Sequence, residues 1–334
     1  MKIMIHDPTL RDGNHAISHS LSVCNIAEYC QAVDGCGLDV VEVGHGNGMG
    51  ASSLQLGIAK HTDIEMLETA RKNLKFSKLG VHLIPGFARI SDIETALAIG
   101  VDVLRIASHC TEASITESYI DYARSKGAYV QGVLMMTHMA TPDRLLAESS
   151  KLHSYGANAI ILMDSAGNYT PADASAKVGL LSKELNIPIG FHAHNNLGLA
   201  VANSLAAVEA GATIIDGCAF GFGAGAGNTQ LEVVCAVLER YGFETDVDVF
   251  RLCQALDNLH AESPVKKSPT IKTSNLISGM FGVCSGFEKH VARASAHFNI
   301  KPKDIYQELS NRNAVAGQED MIIAVAANLA KKIA

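Results

Sequence analysis

The 334-residue chain has no CxxC pair, no basic run longer than a pair such as Lys266-Lys267 or Lys331-Lys332, no stretch of eighteen apolar residues and no low-complexity segment. Each lack removes a class of function. Without clustered cations, and with a formal net charge of -7, the chain offers no footprint for nucleic acid or an anionic membrane. Lacking a long apolar run, it has no candidate transmembrane helix. The first residues read directly as a strand, with no basic segment leading into an apolar one. No secretory signal is therefore expected, and the expected compartment is the cytoplasm. The eight cysteines, at 24, 30, 36, 110, 218, 235, 253 and 284, are scattered, several of them inside apolar segments. That pattern reads as reduced, mostly buried thiols, not as a disulfide or zinc framework. Small-molecule chemistry is the class that remains.

What is present is a hydrophobic share of 48%, ample for one barrel-sized domain plus an extension. Short β-like runs alternate with helical patterns at the spacing of βα units. Met1 to Ile5 reads as the first strand and Ser22 to Gly35 as the first helix. Strands follow at Val40 to Val43, Leu79 to Ile84, Val103 to Ile106, Tyr129 to Met135, Ala159 to Met163, Pro188 to Phe191 and Thr213 to Asp216. The intervening helices are expected at 63–74, 91–99, 115–126, 142–155, 171–185 and 199–210, with a last one at 229–241. Eight alternations fit an α/β fold of the (β/α)8 TIM-barrel type better than an open doubly wound sheet. After Asp246 the pattern becomes helical, broken by Pro264 and Pro269. The expected organisation is a catalytic barrel over 1–245 and a helical C-terminal domain over 246–334, whose last segment, Gln318 to Ile333, is an apolar-rich helix.

Polar residues collect where the strands end: Asp12 and His15, His45, Ser108-His109, Thr137-His138, Asp164-Ser165, His192 and His194, and Gly221 to Asn228. In a barrel these ends share one rim, so their convergence tests the fold. Arg11, Asp12 and His15 are costly to desolvate unless they pair with each other, a metal or a substrate. Alone, an Arg-Asp pair reads as an ordinary salt-bridged loop. His192 and His194 add to it, because residues two apart on an extended chain point to one side, as two ligands of one ion must. A buried His pair can equally serve backbone groups. One Asp and two His suit an exchangeable divalent ion such as Mn2+ or Mg2+ better than a structural zinc. The glycines of Gly221 to Gly227 permit close backbone approach. Asn228 then either offers its amide oxygen to the site or caps the helix beginning at Thr229. A dinucleotide site is not expected, because the loop follows the last strand and no later strand carries a ribose-binding acid.

The block Asp7-Pro8-Thr9-Leu10-Arg11-Asp12-Gly13, the strand end Glu42-Val43-Gly44-His45-Gly46, His192-Ala193-His194-Asn195 and the glycine loop ending in Asn228 resemble the HMG-CoA lyase-like metal-dependent TIM-barrel superfamily. Within it, the segments at 107–113, 134–139, 223–228 and 317–322 resemble the 4-hydroxy-2-oxovalerate aldolase family, and the resemblance runs from the first strand to the last helix. It implies a class II pyruvate aldolase, a carbon-carbon lyase of aromatic hydrocarbon catabolism that cleaves a 4-hydroxy-2-oxo acid to pyruvate and an aldehyde. By the same resemblance Asp12, His192 and His194 carry the metal, with Asn228 as a further ligand candidate. Mn2+ is the expected ion, with Mg2+ or Co2+ as alternatives. Arg11 stabilises the enolate, His15 is the base at the C4 hydroxyl, and Glu42 orients Arg11. Arg11, His45, Ser165 and Cys284 are the expected substrate contacts. An acylating aldehyde dehydrogenase is the implied partner, in a homo- or hetero-oligomer.

The match departs at three places. Cys284 stands where these aldolases carry a Tyr in a Gly-Val-Tyr-Ser segment, Asn195 where a second consecutive His is usual, and Asn47 where Asp is usual. A thiol is smaller and a poorer donor than a phenol, so the acceptor pocket is expected to be wider. Two rivals share the fold: a Claisen-type synthase joining an acyl-CoA to a 2-oxo acid, and a non-catalytic scaffold descended from an aldolase. The aldolase-like segments speak against the first, and the intact Arg11, Asp12, His15, His192 and His194 against the second.

Overall fold

Runs of valine, isoleucine and leucine bounded by Gly, Asp and Asn turns form strands that bury both faces, as a parallel sheet covered by helices requires. The computed structural model describes residues 1–333. The strands are β1 Met4–Leu10, β2 Val40–Val43, β3 Lys78–Leu83, β4 Val103–His109, β5 Tyr129–Met135, β6 Ala159–Asp164, β7 Ile189–Ala193 and β8 Ile214–Asp216. They pair in parallel in sequence order, and Met4 to His6 of β1 closes the barrel against Ile214 to Asp216 of β8. The expected TIM barrel is therefore present. Around it lie α1 Val23–Val33, α2 Asp63–Asn73, α3 Ile90–Ile99, α4 Glu117–Ser125, α5 Pro142–Ser154, α6 Pro171–Glu184, α7 Ala200–Glu209 and α8 Leu231–Arg240. Several helix starts are set by side chains: Ser22, Thr62 and Thr170 each close a reciprocal cap with the residue three positions on.

The first strand is the largest departure from the sequence expectation, extending to Leu10 instead of stopping at Ile5. Asp7 and Thr9 lie inside it, fully buried. The Asp7 carboxylate accepts from the Thr9 amide at 2.9 Å, the Thr9 hydroxyl and the Tyr29 hydroxyl at 2.6 Å. With those bonds made, the strand tolerates residues that look like loop. Inside the barrel, Met4, Ala107, Val133, Ala159, Ile161 and Ile214 pack together. His6, Arg105 and Asp216, each two residues from one of these along its strand, form a polar layer with Glu42.

Beyond the barrel come α9 Val249–Asp257, α10 Thr273–Phe281, α11 Glu288–Phe298, α12 Pro302–Asn311 and α13 Glu319–Ile333. Leu252 and Leu256 of α9 join the apolar core of the barrel. A second core gathers Val283, Phe287, Ile305, Tyr306, Leu309, Ile322 and Val325. α13 buries Ile322, Val325 and Ala326 within that second core, and packs on α11 and α12. Ala334, the end of the range expected for the helical domain, lies outside the described residues. Among the described residues no helix is long and apolar enough to cross a membrane. None of the eight cysteines is paired, and six are buried.

Candidate active site

After Leu10 the chain leaves β1 through a short 3-10 turn, Asp12–His15, which puts Arg11 and Asp12 over the barrel mouth. Two strands away around the barrel, past β8, His192 lies one residue before the end of β7 and His194 just beyond it. The candidate ligand atoms of Asp12, His192 and His194 lie within 4.8 Å of one another. Each imidazole Nε2 stands 3.9 Å from Oδ2 of Asp12, beyond hydrogen-bond reach. The Nδ1 of His192 donates to Asp216 at 2.9 Å, which leaves its buried Nε2 without a partner. A carboxylate and an orphaned imidazole nitrogen facing a common point are what a divalent ion satisfies, so the residues fit one.

Asp12 is held from behind. Its Oδ1 accepts from the Ala224 amide and from Nδ2 of Asn228, both at 3.0 Å. Gly223 makes that approach possible, since a Cβ there would come within 2.7 Å of the Asn228 amide carbon and 3.0 Å of Asp12 Oδ1. Asn228 is not a helix cap: α8 starts at Leu231, with Gln230 at its N-cap. As placed, Asn228 turns its amide nitrogen to Asp12, and its Oδ1 is buried without a partner.

Arg11 donates from Nη1 to Asp12 at 2.6 Å and from Nε to Glu42 at 3.0 Å. Glu42 also accepts from Arg105 at 2.6 Å, and Arg105 reaches on to Asp216 at 2.6 Å. An unbroken chain of charge thus runs from Asp12 through Arg11, Glu42, Arg105 and Asp216 to His192. Burial alone would push these carboxylates up and the guanidiniums down. The opposite charges win: Asp12 falls well below its ordinary value, Glu42 falls to about 2, Asp216 falls, and both arginines rise. Sequence reasoning missed Arg105, Asp216, His6 and His82, the last a buried imidazole of β3 whose Nδ1 stands 3.6 Å from Glu42 in the same polar layer. The signal was a charge or imidazole inside an otherwise apolar strand, as in Leu104-Arg105-Ile106 and Ile215-Asp216.

Arg11, Asp12, His15, Ser165, His194 and Cys284 line one cavity. Burial holds the His15 imidazole down to about 3, against the pull of Asp12, so it is a free base at neutral pH. Ser165 accepts from the Met136 amide at 3.0 Å. Cys284 reaches the cavity from the C-terminal segment, and burial pushes its thiol up to about 12. His45 is a correction. Expected against substrate, it lies behind the cavity wall, its Nε2 donating to the Gly57 carbonyl at 3.0 Å and its Nδ1 accepting from the Asn47 amide at 3.1 Å. Asp164 likewise serves its own loop, accepting from the amides of Asn168 and Tyr169, and His138 donates to the Gly282 carbonyl at 2.8 Å. The helical segment adds wall residues that the strand ends did not suggest: Lys289, His290, Arg293 and Glu319.

Residues 2–259 match the HMGL-like family model. The chain belongs to the HMGL-like family. Residues 269–331 match a second model, the DmpG-like communication domain. A 4-hydroxy-2-oxovalerate aldolase of Spirochaeta aurantia is 54% identical over 325 residues, covering 97% of this chain and 95% of the relative. One from Pectobacterium atrosepticum is 50% identical over 333 residues, 99% and 96% of the two chains. Among solved structures, the carboxyl transferase domain of Rhizobium etli pyruvate carboxylase with pyruvate and biocytin superposes with a TM-score of 0.84 at 15% identity. That likeness covers 99% of this chain and 61% of the other, and at such identity it speaks for the fold alone. The HMGL-like match takes in β1 through α9, including the strand ends that carry Asp12, Glu42, His192 and His194.

Proposed function

We propose that this protein is a divalent-metal-dependent 4-hydroxy-2-oxovalerate aldolase, a carbon-carbon lyase that cleaves its substrate to pyruvate and acetaldehyde or runs the reverse addition. The observation that carries the reading is the joint presence, at one cavity, of the Asp12-His192-His194 cluster, which reaches the cavity through Asp12 and His194, the Arg11 guanidinium 2.6 Å from Asp12, and the uncharged His15 imidazole. The relatives named as 4-hydroxy-2-oxovalerate aldolases support it along nearly the full chain.

Asp12, His192 and His194 would hold the ion, with Mn2+ first among the candidates. Bound there, a divalent cation supplies Lewis acidity toward the 2-oxo oxygen. Arg11 holds negative charge at that same oxygen as the enolate forms, and Glu42 fixes the plane of its guanidinium. His15 takes the proton of the C4 hydroxyl while the C3–C4 bond breaks. The oxygen lone pair becomes the aldehyde C=O, and the bonding pair moves into the enolate. A proton delivered to C3 then completes pyruvate. Ser165 and Cys284 contact the substrate, and Asn228 keeps Asp12 in place. Acetaldehyde is small and reactive, so an acylating aldehyde dehydrogenase docked on the communication segment, in a hetero-oligomer, is the fitting partner. The communication-domain match over 269–331 supports that choice. A cytoplasmic setting suits buried, unpaired thiols. We assign 1–245 to the barrel and 246–334 to the helical domain, with α9 as the strap joining them.

The test is pyruvate release from 4-hydroxy-2-oxo acids by protein stripped with a chelator, with and without Mn2+ restored. Metal-dependent release supports the reading. Release that ignores chelation would remove it.

A further inference from the structure

Among the described residues the proposed base has no hydrogen-bond partner that fixes its ring. His15 lies on a turn, and the turn ends with two consecutive non-glycine residues in the left-handed region, Ser18 at φ 54° and His19 at φ 60°. Such a pair is costly and persists only where the surroundings over-determine it. Here they do. The His19 amide donates to the Asn14 carbonyl at 2.7 Å, and the Lys60 amide donates to the His19 carbonyl at 2.9 Å. Lys289 of α11 donates to the Ala16 carbonyl and the Ser18 hydroxyl, each at 2.9 Å.

What this strained turn delivers is one ring. His19 is 5% exposed and stacks on His45, with centroids 3.6 Å apart and planes 16° from parallel. Its Nδ1 accepts from the Gly46 amide at 3.3 Å. Locked in that way, it meets the His15 ring edge to face, with centroids 5.1 Å apart and planes at 69°. On its other side His15 is bounded by Gly46, where a Cβ would come within 2.5 to 2.7 Å of the imidazole. His45, whose own nitrogens are bonded to Gly57 and Asn47, is the base plate of the stack.

We propose that His19 is a positioning residue for the catalytic base: stacked on His45 and tied to Gly46, its ring fixes the rotamer that turns His15 into the cavity. The proposal rests on the aldolase reading and goes beyond it, since His19 touches no reacting atom. It separates two halves of the chemistry. Aldol cleavage needs a proton removed from the C4 hydroxyl. Decarboxylation of oxaloacetate does not: the C3–C4 pair passes into the same enolate as CO2 leaves, and a proton adds at C3. A residue that acts through His15 matters for the first reaction and not for the second.

The experiment measures both reactions for the Mn2+-loaded full chain and for His19→Ala and His19→Asn, the latter because Asn accepts the left-handed backbone. We expect kcat for 4-hydroxy-2-oxovalerate cleavage to fall about 100-fold in both variants, the scale on which small misplacements of a reacting group act. KM should stay within about twofold, and so should oxaloacetate decarboxylation, since ground-state binding and the enolate half do not pass through His15. Unchanged cleavage in His19→Asn would overturn the proposal. Loss of both reactions together would also overturn it, since a structural role alone predicts that. A wild-type chain that performs neither reaction with Mn2+ would overturn the aldolase reading first and this proposal with it.

Discussion

The Nδ1 of His192 lies 2.9 Å from Oδ2 of Asp216, the same oxygen that Arg105 holds at 2.6 Å. A carboxylate can only accept, so the Nδ1 of His192 carries the proton and Nε2 presents a lone pair toward Asp12. The tautomer of the imidazole is thus set from inside the barrel by a residue outside the ligand cluster. Asp216→Asn should weaken Mn2+ binding by about 10- to 100-fold, the usual scale for partners of metal-bound imidazoles. Titrating Mn2+ against the stripped protein measures it. An unchanged affinity would mean that His192 is oriented by other contacts.

Arg105 is fully buried and bridges two fully buried carboxylates, Glu42 and Asp216. Replacing it with Met leaves both without their shared cation. Breaking a buried pair by removing one partner costs about 3–5 kcal/mol. Arg105→Met should therefore show a urea midpoint far below wild type. Arg105→Lys should be intermediate at best, because a single ammonium cannot reproduce the planar fork that spans both acids. A midpoint within error of wild type for Arg105→Met would contradict the bridging role.

Much of this was legible beforehand because of one physical regularity. A buried parallel strand must be apolar on the side that meets the helices, so the runs around Val41, Val130, Ile160 and Ile215 stood out, and the barrel followed from their number. The rim residues Asp12, His192 and His194 stood out for the converse reason, being polar where apolar runs stop. Two things stayed hidden. The inner side of these strands is polar at mid-height, so Arg105, Asp216, His6 and His82 read as interruptions rather than as a layer. β1 hid five of its seven residues because Asp7 and Thr9 satisfy one another and Tyr29, which only the folded chain reveals. His45 was misplaced because a residue at a strand end can turn either into the cavity or back toward its own loop, and spacing does not distinguish the two.

Glu42 gives the pH dependence its sign. Its folded-state pKa is lowered to about 2 from an ordinary 4.5: burial would raise it, but Arg105 and Arg11 outweigh burial. A depressed carboxylate contributes stability that is fully present above the unfolded value and is lost as pH falls through the folded one. Wild type should thus lose stability relative to Glu42→Gln between about pH 4.5 and 2, with the difference constant above that window. Parallel urea titrations of the two proteins at pH 7, 4 and 2.5 measure it. A difference that grows on acidification would reverse the sign and refute the assignment.

Gly46 is where His15, the proposed base, has no room to share. A methyl group there would meet Cε1 of His15 at 2.7 Å, and the ring cannot retreat toward His19 because that ring is stacked on His45. Gly46→Ala should lower kcat for cleavage about 100-fold, as a misdirected base would, while Mn2+ affinity stays at the wild-type value. The pair of measurements matters, because loss of metal binding as well would locate the damage in the loop that carries Arg11's contact to the Gly46 carbonyl.

We propose that Cys284 sets the size of the aldehyde. It is 9% exposed, it lines the cavity with Met135 and Gly286, and burial keeps its thiol neutral, so it acts by volume and not by charge. Cys284→Tyr adds a ring that must occupy space the wild type leaves to substrate. The loss should grow with the length of the chain beyond C4. The kcat/KM ratio of 4-hydroxy-2-oxohexanoate to 4-hydroxy-2-oxovalerate should drop about tenfold, which is what one misfitting methylene is worth in a hydrophobic pocket. Using the ratio removes any general effect of the substitution on the enolate half, which both substrates share. A ratio that does not move would mean the acceptor lies elsewhere in the cavity, toward Ile84 and Met163, and that the thiol at 284 leaves the choice of aldehyde untouched.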